Sequence, residues 1–378
     1  MKLIKEERFD LRLKGKEFNW NFEVEKEGIY GIEILASCKS WWQNFLKSFF
    51  KDDKLSVKID GISFSKESVA WVGNNLKGLK KTNFFVIYLS SGTHNLNFLT
   101  DQSPFLESIR IYQIEESEFS FLPRENYPIQ DGNRRQWLTI VLVNLPLKAL
   151  KIEASAEEGK EFFAFKRDDS DLKLIINGEI QKNEEPKSHR NWYWCGRVLK
   201  GKEKVFEREL NLKPEIHYIE LWVDRSPKIK EIKIILKKIP TVDSPEWTGN
   251  FYDDPEEIIL ARVIFGETRG ASREAKTGVG WVVKNRVLKW EKSYHEVILQ
   301  PYQFSCFNPE DPNFSYLINP LLEAKAWYEC YEVARKIIKG EIENPIDDAT
   351  HYHDISSHPS WADEMEFVCQ IDNLKFYK

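Results

Sequence analysis

Apolar positions recur at every second residue through most of the first 239 residues and at helical spacing after that, and this change of period divides the chain. In the first part Ile32, Ile34 and Ala36 form an alternating row, as do Leu150, Ile152 and Ala154. His94, Leu96 and Phe98 lead into a turn from Asp101 to Pro104 and a last strand, SIRIYQI. Asp60-Gly61 and Asn177-Gly178 are hairpin dipeptides. Short strands with closely spaced turn signals predict antiparallel β-sandwiches of jelly-roll type. Residues 240–252 are rich in Pro, Asp, Ser and Gly and read as a linker. From Asp253 onward the spacing predicts helices. The first starts at Asp254 as N-cap, with Pro255 in the first helical position and Glu257 completing a capping box, and it runs through Ile258 to Ile264 up to Gly266-Glu267. A second, from Ser272 to Lys289, gathers Ala275, Val279, Val282, Val283 and Val287 on one face, with Gly278 and Gly280 allowing a close neighbour. A third is bounded by Asn319, Pro320 and Gly340. Short strands after Asp347 complete an α+β domain.

The β part contains an internal repeat. Trp71, Gly73, Leu76, Gly78, His94, Asp101, Pro104 and Ile109 reappear as Trp194, Gly196, Leu199, Gly201, His217, Asp224, Pro227 and Ile232, each 123 residues later (194 − 71 = 123). LSVKIDG, ending at Gly61, matches LKLIING, ending at Gly178, at an offset of 117, so the second copy carries a six-residue insertion. The expected organisation is a multidomain chain: sandwich repeats over 1–116 and 117–239, a linker over 240–252 and the α+β domain over 253–378. Trp71 and Trp194 recur at one aligned position and are expected in the core, with His94 and His217 as strand residues and not ligands. Trp41 and Trp42, in the apolar insertion SWWQNFLKSFF, have no counterpart in the second copy; they present a glycan-binding face or add packing.

A net charge of −5, with Lys and Arg interleaved among Asp and Glu, argues against nucleic acid as a partner. No stretch approaches a membrane span, and the charged N-terminus is expected to carry no standard secretory signal. Five dispersed cysteines, never in a CxxC, read as buried free thiols. An aromatic share of 13% leans towards carbohydrate handling, although sandwich cores use the same residues.

In the helical part LARVIFGETRG, VGWVVKNRV, QPYQFSC, DDATHYH and HPSWA follow one another in this order. Together they resemble the SleB/CwlJ family of cell-wall hydrolases, the spore cortex-lytic type. The repeats resemble, over shorter motifs, carbohydrate-binding modules of the galactose-binding-like jelly-roll class. The first resemblance implies a lysozyme-like fold, cleavage of peptidoglycan between N-acetylmuramic acid and N-acetylglucosamine, and Glu267 as the catalytic acid. Glycosidic cleavage needs a carboxylic acid whose pKa is raised by a partly apolar site, and Glu267 emerges from Val263, Ile264 and Phe265 between two glycines that would admit a sugar.

Asn285, Gln303, Phe304, Ser305, His351, Tyr352, His353 and Trp361 are the candidates for substrate binding: amide, hydroxyl and imidazole groups for the acetamido and hydroxyl groups, Tyr352 or Trp361 for stacking on a ring. Arg286 belongs with Asn285, either in this role or in a structural one. None of Asp347, Asp348, Asp354 and Asp363 stands in a position that marks it as a second carboxylate. A single acid suffices if the 6-hydroxyl of muramic acid attacks, so a lytic transglycosylase giving 1,6-anhydromuramic ends, without metal or other cofactor, is expected. The rivals are a zinc hydrolase built on His351, His353 and His358, and a non-catalytic wall-binding protein. The site of action is then the cell wall, reached by lysis, a phage, a spore-coat route or non-classical export.

Overall fold

The computed structural model describes residues 1–43, 51–123, 135–159, 161–162, 165–166, 168–183 and 190–378. The chain forms two compact units, Met1–Lys237 and Lys238–Lys378.

In the first copy, the described residues form nine strands in two sheets: β1 (Lys2–Arg12), β2 (Glu17–Val24), β3 (Gly28–Ser37), β4 (Lys54–Ile59), β5 (Ile62–Ser63), β6 (Trp71–Val72), β7 (Lys80–Leu89), β8 (Gly92–Asp101) and β9 (Phe105–Ile114). A single helical turn, α1 (Gly73–Leu76), precedes β7. The second copy has β10 (Glu118–Phe121), β11 (Arg135–Val143), β12 (Leu147–Ser155), a small hairpin of β13 (Glu161–Phe162) and β14 (Phe165–Lys166), then β15 (Asp171–Ile176), β16 (Glu179–Ile180), β17 (Trp194–Cys195), the turn α2 (Gly196–Leu199), β18 (Glu203–Glu209), β19 (His217–Asp224) and β20 (Lys228–Leu236). The repeat holds at the level of topology. The order β1-β9-β3-β7 in one copy is β10-β20-β12-β18 in the other, and β2-β8-β4-β5 is β11-β19-β15-β16.

The copies are not separate bodies, as two tandem domains would be. Parallel pairing of β11 with β7 joins β1-β9-β3-β7 to β11-β19-β15-β16 in one nine-stranded sheet, with β17 at its side. At this seam all nine residues of β11 are buried, as a strand covered on both faces must be. Its Val141 and Val143, with Tyr218 of β19, belong to the core of the first copy.

Equivalent residues do equivalent work. Trp71 and Trp194 are fully buried, and their indole N–H groups donate to the carbonyls of Lys81 (2.8 Å) and Lys204 (2.7 Å), themselves 123 residues apart (204 − 81). His94 bridges Asp60 of the β4–β5 turn (2.6 Å) and the Ser90 carbonyl (2.7 Å), while His217 bridges Asn177 (3.1 Å) and the Lys213 carbonyl (2.6 Å). Both histidines therefore clamp a hairpin. In those hairpins Asp60 and Asn177 take positive φ (47° and 51°) ahead of Gly61 and Gly178 (83° and 90°), as a two-residue primed turn requires.

The second unit is helical with one small sheet. Its elements are α3 (Glu256–Thr268), α4 (Arg273–Trp290), α5 (Tyr294–Ile298), α6 (Phe314–Ile318), α7 (Ala324–Lys339), β21 (His351–Asp354), β22 (Phe367–Ile371) and β23 (Leu374–Tyr377), the strands in the order β21-β23-β22. Ser272 caps α4 by accepting from the Ala275 N–H, and Gly340 ends α7 with φ 71°. Helix α3 is buried on every side from Ile258 to Gly266 and forms the axis of this unit.

The expected capping box at Asp254 does not form. The helix begins at Glu256 without a side-chain cap, because the Asp254 carboxylate instead receives Arg262 Nε (2.7 Å) and Nη2 (3.2 Å). Arg262 has no exposed surface, and a buried guanidinium needs its counter-ion more than a helix end needs a cap. The same guanidinium donates to the carbonyls of Pro245 (2.7 Å) and Leu317. The Trp327 indole N–H donates to the Val242 carbonyl (2.8 Å) and Tyr328 to Asp243 (3.1 Å). Residues 240–252, expected as a linker, thus lie within the second unit and are tied to α3 and α7. All five cysteines are free thiols, and Cys38, Cys195, Cys306 and Cys330 are buried.

Candidate active site

Glu267 lies in the last turn of α3, where the apolar helix reaches the surface, and its side chain is half-buried. Two side chains from distant segments close on its carboxyl group. Tyr352, on β21, donates its hydroxyl to Oε2 at 2.8 Å, and the thiol of Cys306 hydrogen-bonds the same carboxyl group. Burial pushes the Glu267 pKa above the usual 4.5; the Tyr352 and Cys306 hydrogen bonds pull it back, and the charge of Asp311 adds to the rise. Burial and the Glu267 charge also push Tyr352 and Cys306 well above their ordinary ranges, so both keep their protons and act as donors. The site is thus an acid of raised pKa, held by a phenol and a thiol.

Gly266 was expected to admit a sugar, but it serves packing. A Cβ there would stand 2.7 Å from both Cys306 Sγ and Leu317 Cδ1, so the absent side chain lets the Ser305–Phe307 turn reach Glu267. Beside Gly270 the space is open.

Helix α4 holds both approaching segments. Arg286 Nε donates to the carbonyl of Thr350 (2.6 Å), two residues before Tyr352, and Nη1 to Gln303 Oε1 (2.9 Å), three residues before Cys306. Its guanidinium sits 5.4 Å from the rings of both Trp290 and Phe304, and Phe304 is buried. Asn285 Nδ2 donates to the carbonyls of Asp347 and Ala349, each at 2.9 Å, and so anchors the approach to β21. Ser305 is exposed, on the turn that carries Cys306.

The three residues of HYH divide across β21. Tyr352 packs against Phe376 (centroids 5.8 Å apart) and reaches Glu267, whereas His351 and His353 contact Trp361 at 5.3 Å and 5.8 Å. His353 has both ring nitrogens engaged, with the Asp354 carbonyl (2.9 Å) and the Tyr377 hydroxyl (3.0 Å), and it stacks on the Tyr377 ring. His351 bonds Thr350 Oγ1 (3.0 Å), and burial lowers its pKa. His358 is exposed and pairs with Asp363 (2.9 Å). Among the described residues no group of three His, Cys, Asp or Glu side chains is gathered as metal ligands would be.

The four aspartates first considered as a second carboxylate are engaged away from Glu267. Asp347 and Asp348 face Lys378 at 3.4 Å and 3.5 Å, Asp354 caps Ser356 and Asp363 pairs with His358. The carboxylate whose charge reaches Glu267 is Asp311, which also accepts from the Asn313 N–H (2.8 Å). Neither Cys306 nor Asp311 was singled out in the sequence. The one signal was that Cys306 closes the QPYQFSC block. In the β unit the rings of Trp41 and Trp42 stack with centroids 4.1 Å apart, Trp42 being 69% exposed; the rest of that insertion, 44–50, lies outside the described residues.

Residues 270–377, three-quarters of the second unit, match the family model described as Cell Wall Hydrolase. The C-terminal unit carries a cell wall hydrolase domain. The match takes in the four downstream blocks and starts three residues after Glu267 (270 − 267), so the place of Glu267 in the hydrolase rests on its surroundings. Among solved structures the chain is similar to the catalytic domain of the germination-specific lytic transglycosylase SleB from Bacillus anthracis, at 18% identity and TM-score 0.25 over 32% of this chain and 93% of that one. It is similar also to the SleB catalytic domain of Bacillus cereus, at 20% identity and TM-score 0.25 over 32% of this chain and 90% of that one. A chain of the plant RALF23–FER–LLG2 complex gives 8% identity and TM-score 0.23, over 62% of this chain and 88% of that one. No curated protein shows significant similarity. No helix among the described residues is long and apolar enough to cross a membrane.

Proposed function

We propose that the hydrolase cleaves the glycan strand of peptidoglycan between N-acetylmuramic acid and N-acetylglucosamine, with Glu267 as the general acid and by lytic transglycosylation. The observation that carries this reading is the Glu267 environment: a half-buried carboxyl group, raised in pKa and fixed by Tyr352. Protonated, Glu267 gives its proton to the leaving glycosidic oxygen as the C1–O bond of muramic acid breaks. The muramic 6-hydroxyl attacks C1 and its proton passes to the Glu267 carboxylate, which restores the acid and leaves a 1,6-anhydro end. Ser305, His351 and Trp361, each with exposed surface, are the candidates of the sequence pattern left to meet sugar; Asn285, Phe304 and His353 support the walls.

The β unit is proposed to hold the enzyme on its polymer. The strand orders of its two copies fit jelly rolls, and the stacked Trp41–Trp42 pair offers a sugar-stacking face.

A second reading rests on Asp311. Its charge reaches Glu267, and a carboxylate there can activate water, which makes the enzyme a muramidase. Digestion of purified sacculi by the full chain and by Glu267→Gln, with mass spectrometry of the fragments, decides the matter. The expected result is anhydromuramic ends from the wild type and at least a ~1,000-fold slower release from the variant. Reducing muramic ends would replace transglycosylation by hydrolysis, and an active Glu267→Gln would remove Glu267 from the mechanism.

A further inference from the structure

The two side chains that grip Glu267 come from segments 46 residues apart (352 − 306). Besides Glu267 itself, Arg286 touches both segments. Arg286 projects from α4 and donates to the Thr350 carbonyl at 2.6 Å on one side and to Gln303 Oε1 at 2.9 Å on the other. The first bond fixes the entry into β21, from which Tyr352 reaches Glu267; the second fixes the entry into the turn that carries Cys306. Rings 5.4 Å away, Phe304 and Trp290, restrict the guanidinium further, and Arg286 itself is buried. A planar fork with several donors can hold two acceptors at fixed separation, which a lysine ammonium on a flexible stem cannot.

We propose that Arg286 is the positioning residue of the hydrolase: it clamps the Thr350 and Gln303 segments together so that Tyr352 and Cys306 meet on the Glu267 carboxyl group. It touches no reacting atom and acts through those two partners. The inference rests on the reading of Glu267 as the acid. It gives Gln303 a different role from the substrate binding expected of its block, since its side-chain oxygen is taken by Arg286.

The test uses the full chain with Arg286→Lys, Gln303→Ala, Tyr352→Phe, the double variant Arg286→Lys/Tyr352→Phe, and Glu267→Gln as the control for the underlying reading. Turnover of solubilised glycan strands is followed as kcat and KM across pH, with circular dichroism and thermal melts to establish the folded fraction. Gln303→Ala cuts one arm of the clamp at a half-exposed position, and so serves if Arg286→Lys fails to fold. The expected result in Arg286→Lys and Gln303→Ala is a loss of about ten-fold or more in kcat with KM within about two-fold, as for a group acting only in the transition state. The alkaline limb of the pH profile moves down, because parted walls admit water to Glu267 and the loss of burial, the largest cause of its raised pKa, outweighs the loss of the Tyr352 and Cys306 hydrogen bonds that lower it. In the Tyr352→Phe background Arg286→Lys costs much less than in the wild type, since the route to Glu267 is already cut. An unmoved pH limb with rates scaling only with folded protein, or costs that multiply in the double variant, would overturn the clamp. Full activity of Glu267→Gln would instead overturn the reading beneath it.

Discussion

A carboxyl group at a helix end is ordinarily solvated, and what sets Glu267 apart is the company the fold brings to it. Burial raises its pKa, while Tyr352 donates a hydrogen bond that favours the ionised form and lowers it. In the proposed role of general acid Glu267 works only while protonated, so activity is expected to fall as pH rises through this pKa. Removing the hydroxyl without removing the ring takes away a lowering influence and leaves the burial. Tyr352→Phe should therefore move the alkaline limb of the pH–rate profile upward and slow turnover through loss of orientation. A limb that stays in place or moves down would show that Tyr352 does not hold the carboxyl group in the working enzyme. Glu267 stood out in the sequence as the candidate, because GE ends an apolar run ahead of four further blocks. Its partners did not. Cys306 and Tyr352 lie 39 and 85 residues downstream (306 − 267 and 352 − 267), and only the packing of the Ser305–Phe307 turn against Gly266 and the alternation of β21 select them.

At the scale of elements, the ends of α3 and α4 were readable to within a residue or two, whereas the helix expected from Pro320 starts as α7 only at Ala324, after a 3-10 turn, and the short α5 and α6 were not foreseen. The residues around Asp254 fit a capping box in composition, yet Asp254 is spent on Arg262, one helical residue type whose burial no local pattern announces. Arg262 ties α3 to the Pro245 segment and to the end of α6, so the pair organises the helix that bears Glu267. Asp254→Asn leaves the guanidinium buried without its counter-ion and should cost the second unit about 3 kcal/mol or more, where loss of a mere N-cap costs about 1 kcal/mol. Urea unfolding of the full chain, followed on that unit's transition, measures the difference; a cost near the lower figure would return Asp254 to the role of a cap. The strand β11 makes the same point in the other direction. Its run of WLTIVLV is apolar without alternation, the signature of a strand covered on both faces, and it lies where the copies join.

In the molecule as a whole, the repeat was visible as a constant offset, but sequence identity between copies says nothing about how they meet. They meet by hydrogen bonds. Leu138 to Val143 of β11 pair in parallel with Thr82 to Ile87 of β7, and β11 contributes Val141 and Val143 to the core of the first copy. A chain ending at residue 116 would lose that neighbour. It would present β7 as a bare edge, with Phe85 and Ile87 short of their cover, and exposed edges of that kind associate. A chain ending at Lys237 keeps the whole nine-stranded sheet. Residues 1–237 should therefore be monodisperse and unfold in one cooperative urea transition, whereas residues 1–116 should aggregate or remain unfolded, as sedimentation and far-UV circular dichroism would register. Were the two copies independent modules, residues 1–116 would be monomeric and fold with a transition of their own, and the intact β unit would unfold in two steps. The shared sheet makes the unit a single cooperative block, so a stabilising or destabilising substitution in either copy, such as one at Trp71 or its equivalent Trp194, is expected to shift the same transition.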